Sequence, residues 1–365
     1  MIEDNDYGPP VTDRLRRLID EIPEGPIRRL HDPAPDAALW NARIAPHRGH
    51  SWLEVPWFFG ETYFYRRIIE AVGYFAPGDR SDPFAGQKRA GYRESIQDIR
   101  ALAHARAQAI DTGRSEEELV RLLKTALWGN QADLSMWDAD ADGPDHLSTG
   151  REEEHLLADD TGAVLDYLQT LESPRRVDVW ADNAGFEFAT DLALVDGLLE
   201  DDWTDVLVLH LKAHPTFVSD VTVRDVHRIL NALADDEAEP MRALADRLRS
   251  ALADGRLRLA DPFAWTSPLP ARDVPATVNA ELARADLLLS KGDANYRRLL
   301  GDRTWAFTTP FEEVVSYRPA PVLALRTLKA EVAAGLTQEQ VDRLDAEDPE
   351  WLVNGEWGLI QFAGP

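Results

Sequence analysis

The segment that decides the fold spans residues 177–187 and reads Val177-Asp178-Val179-Trp180-Ala181-Asp182-Asn183-Ala184-Gly185-Phe186-Glu187. Its apolar first half predicts a buried strand, and apolar residues at helical spacing follow from Phe188. Asp182 and Asn183 would therefore lie at the C-terminal tip of a strand, where open α/β sheets build their sites. Two adjacent oxygen ligands suggest a divalent cation such as Mg or Mn. A helix cap is the alternative, since Asp and Asn are favoured N-cap residues.

The remainder of the C-terminal half continues this alternation of strands and helices. Strands are predicted at Val177–Ala181, Val206–Leu211, Leu287–Ser290 and Trp305–Thr308. Amphipathic helical patterns fill the gaps, as at Val223–Ala234 and Pro240–Ala253. This pattern predicts an α/β fold, with a three-layer α/β/α core built on a mainly parallel sheet.

The N-terminal half has a different pattern, with apolar residues at helical spacing and no strand expected before about residue 176. We therefore predict a mostly helical N-terminal region over residues 1–172 and an α/β/α metal-binding catalytic core over residues 173–365. The boundary falls at Glu172-Ser173-Pro174.

The composition restricts the partners and the compartment. A net charge of −26 repels DNA and RNA, and an anionic substrate would need a metal or a local group of cations. No apolar run approaches the roughly 20 residues of a membrane span. The acidic N-terminus lacks the layout of a secretion signal. The chain has no Cys, which excludes disulfides and thiolate metal sites and is consistent with a cytoplasmic protein.

Two further polar segments follow predicted strands. Asp220 lies in the loop after the strand at residues 206–211, where it would be either near Asp182 or an ordinary turn residue. After the strand at residues 287–290, Gly292 permits a sharp turn into a helix that begins near Asp293. Its free N–H groups, flanked by Lys291 and Arg297, form a natural phosphate site, with a solvated helix start as the alternative.

A fourth segment, Arg326-Thr327-Leu328-Lys329, is predicted to lie in an apolar helix over Val322–Val332. Arg326 and Lys329 would then share one face, although exposed basic pairs are common on helices. His210 and His214 have the spacing of a metal pair, but they are not predicted to lie on one helix. A histidine metal site is therefore not expected.

Taken together, these segments resemble the damage-control phosphatases, and more narrowly their subfamily III with its Arg-Thr-x-Lys signature. That subgroup includes proteins also described as acidic-residue methyltransferases. The resemblance covers nearly the whole chain and is carried by Pro56–Ile68, Leu127–Ser135, Asp182–Leu192, Phe217–Asp220, Lys291–Leu299 and Arg326–Lys329. One departure is Ala294, which stands where the family usually has Leu; we expect it to affect packing only.

The resemblance implies a site with one divalent metal ion (Mn, Ni, Co or Mg) held by Asp182, Asn183 and Asp220. It also implies substrate contacts at the Asp182-Asn183 pair and at Asp293, Ala294, Asn295, Tyr296, Arg297 and Lys329. Further residues expected near the site are Asn130, Asp133, Lys212, Lys291, Glu61, Arg66 and Arg326.

The implied reaction is hydrolysis of phosphomonoesters of small metabolites, with sugar phosphates such as fructose 1-phosphate as the leading substrates. The metal would bind a phosphate oxygen while Lys329 and the helix start hold the phosphate. The nucleophile would be a metal-activated water or Asp182 itself, and water is favoured because Asp182 is already a ligand.

Two alternatives remain open from the sequence. One is an S-adenosylmethionine-dependent protein carboxyl methyltransferase, although such enzymes usually have a Gly-rich loop after the first strand. The other is a non-catalytic sugar-phosphate sensor. The sequence does not determine the oligomeric state.

Overall fold

The computed structural model describes residues 1–2, 5–78, 80–110, 114–129 and 154–365. The described residues before position 130 form α1 (Pro9–Glu21), α2 (Ala37–Ile44), α3 (Trp57–Val72), α4 (Ala85–Glu94), α5 (Ile96–Ile110) and α6 (Glu116–Trp128). The first three helices surround an apolar cluster of their own, which includes Leu15, Trp40 and Tyr63. This part of the chain is therefore helical, as predicted.

A single sheet forms the centre of the described chain. Its strands are β1 (Leu156–Asp159), β2 (Arg176–Trp180), β3 (Val206–His210), β4 (Leu257–Ala260), β5 (Leu287–Lys291), β6 (Val322–Thr327) and β7 (Gly358–Ala363). They lie in the order β1-β7-β6-β5-β2-β3-β4. Neighbouring strands are parallel except β6 and β7, which are antiparallel. The prediction of a mainly parallel sheet is confirmed.

Helices cover both faces of this sheet. One layer contains α5, α6, α7 (Thr161–Thr170), α8 (Phe186–Glu200), α9 (Val223–Ala234) and α10 (Glu239–Asp254), and the other contains α11 (Ala276–Leu282), α12 (Asp293–Leu300), α13 (Phe311–Val314) and α14 (Gln338–Glu347). Alternate residues of β2 face opposite layers, since Val177 and Val179 belong to the first core and Trp180 to the second. The three-layer α/β/α prediction is therefore confirmed.

The prediction of a helix over Val322–Val332 is wrong. Residues 322–327 form β6, which is buried along its whole length between β5 and β7. A short apolar run of this kind is typical of a strand covered on both faces, and its periodicity does not distinguish it from a buried helix. Arg326 therefore ends a central strand, and Lys329 lies in the loop that follows it rather than on the same helical face.

Two strand expectations also need correction. β1 lies before residue 176, where no strand was expected, and residues 305–308 do not form the predicted fourth strand. Since β1 joins the sheet and α5 and α6 belong to a covering layer, elements from before residue 172 contribute to the α/β/α core. The exact division of the chain at residue 172 stays a prediction. Among the described helices, none has the length and apolar character needed to span a membrane.

Candidate active site

The loop after β3 turns back to the end of β2 and brings two carboxylates together. The N–H of Val221 donates to the carbonyl oxygen of Asp182 at 2.9 Å. Next to this bond, Asn183 and Asp220 form a short antiparallel bridge. The structure thus places Asp220 beside the Asp182-Asn183 pair, at the carboxyl edge of the parallel strands.

The same loop has an unusual backbone. Phe217 and Val218 have φ angles of 44° and 64°, in the left-handed region that residues with side chains rarely adopt, β-branched Val least of all. The Phe217 ring lies 5.1 Å from the Tyr65 ring and 6.5 Å from the Phe58 ring, both on α3. Packing against α3 therefore supports a conformation that costs on the order of 1–3 kcal/mol per residue. Strain of this kind is concentrated at functional loops.

Asp182 and Asp220 are almost fully buried, with 4% and 1% of their surfaces exposed. Burial raises the pKa of both carboxyls, and the nearby Asp220 and Glu187 charges raise that of Asp182 further. The Lys212 ammonium lies 3.2 Å from Asp220 Oδ2 and 4.0 Å from Asp182 Oδ1. Apart from these contacts with Lys212, neither oxygen has a hydrogen-bond partner within the described residues. Two buried carboxylates balanced by one ammonium fit a further cation.

Asn183 joins this pair to a third carboxylate. Its Nδ2 donates to Asp182 Oδ2 at 3.0 Å and to Glu187 Oε2 at 2.9 Å, while its Oδ1 accepts from Ser219 Oγ at 2.6 Å. Glu187 lies in the first turn of α8 and is buried. It was not among the predicted site residues, although its position four residues after Asn183 was visible in the sequence. Within the described ranges, no group of three or more His, Asp or Glu side chains is arranged to hold a metal ion. The candidate ligands are therefore not three such side chains but the two carboxylates of Asp182 and Asp220 and the amide of Asn183.

Gly292 is required at the start of α12 for two reasons. Its φ is +79° with ψ at 174°, a combination that residues with a Cβ essentially never adopt. A Cβ on Gly292 would also lie 1.9 Å from Asp182 Oδ2. The backbone of the third motif is therefore packed directly against the first, and only glycine permits this approach.

Asp293 follows Gly292 and is held by the signature segment. Its Oδ1 accepts from Arg326 Nε at 2.8 Å and from the N–H of Lys329 at 3.2 Å. The buried Arg326 side chain also donates to the carbonyl oxygens of Ala330 and Val332. Arg326 therefore fixes the loop that carries Lys329, which gives it a positioning role.

A narrow pocket of about 50 Å³ connects these segments, and it is lined by residues from the first, third and fourth predicted motifs. The lining includes Asp182, Asn183, Glu187, Lys291, Gly292, Asp293, Thr327 and Lys329. Lys329 is exposed, and its ammonium has no ion-pair partner in the described part of the chain. An unpaired cation beside a helix start, where backbone N–H groups are free, is suited to an anion such as phosphate.

Lys291 lines the same pocket but is already neutralised. Its ammonium lies 2.9 Å from Asp191 and 3.8 Å from Glu187, and it donates to the carbonyl oxygen of Ala126. Burial lowers the pKa of Lys291, but the charges of Asp191 and Glu187 outweigh burial and raise it. Lys291 therefore stays charged and balances the carboxylates behind the site.

The side chains of the third motif mostly stabilise the fold around the pocket. Asn295 donates to the carbonyl oxygens of Ala181 at 3.2 Å and Lys291 at 2.9 Å, and accepts from Lys212 at 3.3 Å. These bonds tie α12 to the ends of β2 and β5. Ala294 lies half-buried in the first turn of α12.

Tyr296 and Arg297 point away from the pocket. The Tyr296 hydroxyl donates to Gln361 at 2.8 Å, and its ring stacks on Phe311 at 6.1 Å. The Arg297 guanidinium contacts Asp302 at 2.9 Å and Glu61 at 3.2 Å. Neither residue lines the pocket that contains Lys329, whereas Asp293 of the same motif does.

The remaining predicted residues either lie away from the pocket or lie outside the described part of the chain. Arg66 is buried on α3 in ion pairs with Asp32 and Asp36, both at 2.8 Å, and contributes to the helical region rather than to the pocket. Asn130 and Asp133 lie outside the described residues.

His210 Nε2 lies 2.8 Å from Asp178, and its Nδ1 accepts from Trp265, so its ring is fully engaged within the fold.

Arg298 is a site neighbour that the sequence analysis missed. It is buried, donates to the carbonyl oxygens of Ser267 at 2.9 Å and Trp265 at 3.2 Å, and forms no carboxylate ion pair within the described residues. Burial lowers its pKa to about 10, an effect opposed by the charges of Asp220 and Asp182. It lies in the third motif, Lys291–Leu299, beside the predicted Arg297, but its proximity to these carboxylates depends on packing between segments distant in the sequence.

Comparison with known proteins identifies the family. A model of the "Damage-control phosphatase ARMT1-like domain" matches residues 3–344. This chain belongs to that family. It is 35% identical to damage-control phosphatase ARMT1 from Rattus norvegicus over 377 residues, which cover 96% of this chain and 86% of the relative. The Homo sapiens protein of the same name is 32% identical over 379 residues, again covering 96% and 86%.

A solved structure of a DUF89 family protein from Pyrococcus horikoshii is also similar, with a TM-score of 0.45 and 15% identity over 89% of this chain and 94% of that one. The resemblance inferred from the ordered motifs is thus confirmed by the ARMT1-like match, and the chain is a member of a phosphatase family. The pocket described above is where the Arg-Thr-x-Lys segment meets the Asp182-Asn183 pair.

Proposed function

We propose that this ARMT1-like protein is a metal-dependent phosphatase of small phosphorylated metabolites, with sugar phosphates, and fructose 1-phosphate first among them, as substrates. The observation that carries the proposal is the juxtaposition of two opposite features. Asp182 and Asp220 each present a buried carboxylate oxygen that contacts Lys212 and has no other hydrogen-bond partner in the described part of the chain. The unpaired Lys329 lies at the pocket that Asp182 also lines. A cation site beside an anion site suits a bound phosphate ester.

The donor set fits one hard divalent cation, for which we propose Mn, Ni, Co or Mg. Asp182, Asp220 and Asn183 would hold it, because carboxylate and amide oxygens are the ligands such ions prefer. Asn183 Oδ1 already accepts from Ser219, but a carbonyl oxygen has two lone pairs and can bind both. When bound, the ion would supply a Lewis acid for a phosphate oxygen and lower the pKa of a coordinated water.

The protein's own residues account for phosphate binding. Lys329 would pair with the phosphate, and the first-turn N–H groups of α12 would donate to its oxygens. Arg326 and Asp293 keep these two elements together through the bond of 2.8 Å between them. Orienting the ester in this way supplies much of the rate enhancement expected for phosphoryl transfer.

A water nucleophile is preferred to an aspartyl-phosphate. Asp182 is surrounded by Asn183, Gly292 and Lys212, and its Oδ2 already accepts a hydrogen bond at 3.0 Å. A carboxylate committed to a cation and an amide is poorly placed to attack phosphorus.

Methyl transfer is not favoured, because the loop between β2 and α8 has only Gly185 and lacks a Gly-rich turn.

The test is phosphate release from a panel of sugar phosphates with Mg, Mn, Co or Ni, or with EDTA. Asp220→Asn keeps the shape of the side chain but removes its charge, so we expect turnover to be lost and Mn²⁺ binding to weaken. Mn²⁺ binding is measured in a separate experiment, which uses the EPR signal of free Mn²⁺. The matched control is Asp166→Asn, an exposed position on α7 with the same chemical change.

Normal Mn²⁺ binding and turnover in Asp220→Asn would refute the ligand assignment. Metal binding without phosphate release from any ester would instead favour the sugar-phosphate sensor. Release that EDTA does not affect would refute metal dependence while leaving the phosphatase assignment in place.

A further inference from the structure

A second cavity, distinct from the Lys329 pocket, lies between α4, α9 and the start of α8. Its volume is about 410 Å³, within the range of roughly 300–1,000 Å³ that is typical of small-molecule sites. Four basic side chains line it: Lys88, Arg89, Arg93 and Arg228. In a chain with a net charge of −26, four basic side chains around one cavity are a local excess of positive charge.

Two of these cations are available to bind a ligand. Arg89 and Arg93 lie four residues apart on α4 and therefore on the same face of that helix. Both are exposed, and within the described residues neither forms an ion pair or donates a hydrogen bond. By contrast, the buried Arg106 contacts the carboxylates of Asp196 and Asp201.

Asp225 is the one carboxylate among the described lining residues, and it does not cancel the charge of these arginines. Asp225 Oδ2 lies 2.8 Å from Lys88 Nζ, and its Oδ1 lies 3.5 Å from Arg228. Lys88 and Arg228 therefore neutralise Asp225, and Lys88 also contacts Asp82 at 3.1 Å. The charge that remains uncompensated at the cavity comes from Arg89 and Arg93.

Apolar side chains and one tyrosine also line the cavity. Phe188, Ile229 and Ala232 contribute hydrophobic surface. Tyr92 also lines the cavity, and its hydroxyl is buried without a hydrogen-bond partner in the described part of the chain. The lining thus combines a cationic edge with an apolar surface.

We propose that this cavity is a second ligand site, for a small organic anion with a ring-sized apolar body and one phosphate, sulfonate or carboxylate group. Arg89 and Arg93 would bind the anionic group, and the body would pack on Phe188 and Ile229. The proposal is independent of the phosphatase assignment, because it requires neither metal nor catalysis.

The cavity lies beside the segments that carry the candidate ligand carboxylates. Ala184 and Gly185, which follow the Asp182-Asn183 pair directly, form part of its wall. Lys88, also in the wall, donates to the carbonyl oxygen of Asp220 at 2.7 Å. A bound ligand would therefore contact the backbone that follows Asp182-Asn183 directly, and would reach the Asp220 backbone only through Lys88.

The experiment uses 1-anilinonaphthalene-8-sulfonate, a fluorescent anion with an aromatic body, titrated into the full chain, with phenylphosphonate as a competitor. We expect saturable binding that phenylphosphonate displaces. Arg89→Ala/Arg93→Ala should weaken the affinity for the dye at least tenfold. The charge-matched control is Arg303→Ala/Arg343→Ala, which removes two exposed arginines that do not line the cavity and should change the affinity less than twofold.

A second variant tests whether ligand binding needs the volume of the cavity as well as its charge. Ala232→Phe fills the cavity without altering its charge, so it should also weaken dye binding, whereas Lys329→Ala should leave dye binding unchanged. Circular dichroism confirms that each variant is folded. Wild-type affinity in both the double arginine variant and Ala232→Phe would overturn the proposal, as would dye binding that depends on Lys329.

Discussion

Gly292→Ala is the sharpest test of how the site is built. The new methyl group would begin 1.9 Å from Asp182 Oδ2, whereas contacts below 3.0 Å essentially never occur, so one of the two groups must move by about 1.1 Å. The backbone would also be held at φ +79° and ψ 174°, a region that costs on the order of 1–3 kcal/mol for a residue with a Cβ. Asp182 is buried against this turn and cannot retreat into solvent.

The expected result has two parts. The free energy of unfolding should fall by about 2 kcal/mol or more from strain alone. A displacement of about 1 Å at a reacting centre can reduce the rate by about 100-fold, so kcat/KM for phosphate release should fall by at least that factor in the folded variant. Urea unfolding measures the first effect, and steady-state phosphate release measures the second.

Gly255→Ala is the control, because Gly255 has a similar φ of +80° but no atom within 4 Å of the position that a Cβ would occupy, and it lies at the end of α10. It should lose about 1–2 kcal/mol of stability and keep its activity. Folded Gly292→Ala with wild-type kcat/KM would refute the claim that this turn fixes the position of Asp182.

The remaining predictions concern charged residues. Lys329→Ala should lower kcat/KM by about 10-fold or more without loss of stability, because it removes one charge-assisted contact to the phosphate. Lys329→Arg should recover part of the lost kcat/KM. Equal kinetics in the wild type and both variants would show that Lys329 does not belong to the site. Lys291→Met leaves buried carboxylates unpaired and should cost about 3–5 kcal/mol in urea unfolding, whereas a loss below about 1 kcal/mol would contradict its neutralising role. Burial raises the pKa of Asp36, but His214 and Arg66 outweigh burial and lower it to about 2. Because the folded pKa is below that of the unfolded chain, this carboxylate should stabilise the fold by ~2 kcal/mol above about pH 5, with the contribution lost as pH falls from about 4 toward 2. Asp36→Asn should therefore be less stable at neutral pH and approach wild type in acid, and a stability difference independent of pH would contradict this.

The sequence predicted the strands that carry the site because each is a short apolar run followed at once by polar or glycine-containing turns. β2, β3 and β5 all have this form. β6 also has an apolar run, but the loop after it contains Leu328 and Val332 at helical spacing, so the pattern favoured a helix. β1 and β4 have four residues each, too few to reveal a period.

The prediction of the site had the same limits. Asp182, Asp220 and Asp293 could be singled out because they follow apolar runs, and the carboxyl ends of parallel strands meet at one edge. Lys329 was singled out by the resemblance to the Arg-Thr-x-Lys signature. Residue type alone did not distinguish side chains that line the pocket from side chains that are buried in the fold around it. Tyr296 lies in the same motif as Asp293, yet it is buried against Phe311, and that depends on the rotation of α12 on the sheet.

The distribution of buried cations explains why so acidic a chain can concentrate carboxylates at one edge of its sheet. Lys212 lies between Asp182 and Asp220, Lys291 neutralises Asp191, and Arg326 holds Asp293. Each of these cations is buried and has a carboxylate partner, so each offsets repulsion that would otherwise oppose folding. Lys329 differs because it is exposed and its ammonium has no such partner within the described residues. A cation that the fold does not need for its own charge balance is free to bind a substrate, which is why its removal should affect turnover and leave stability unchanged.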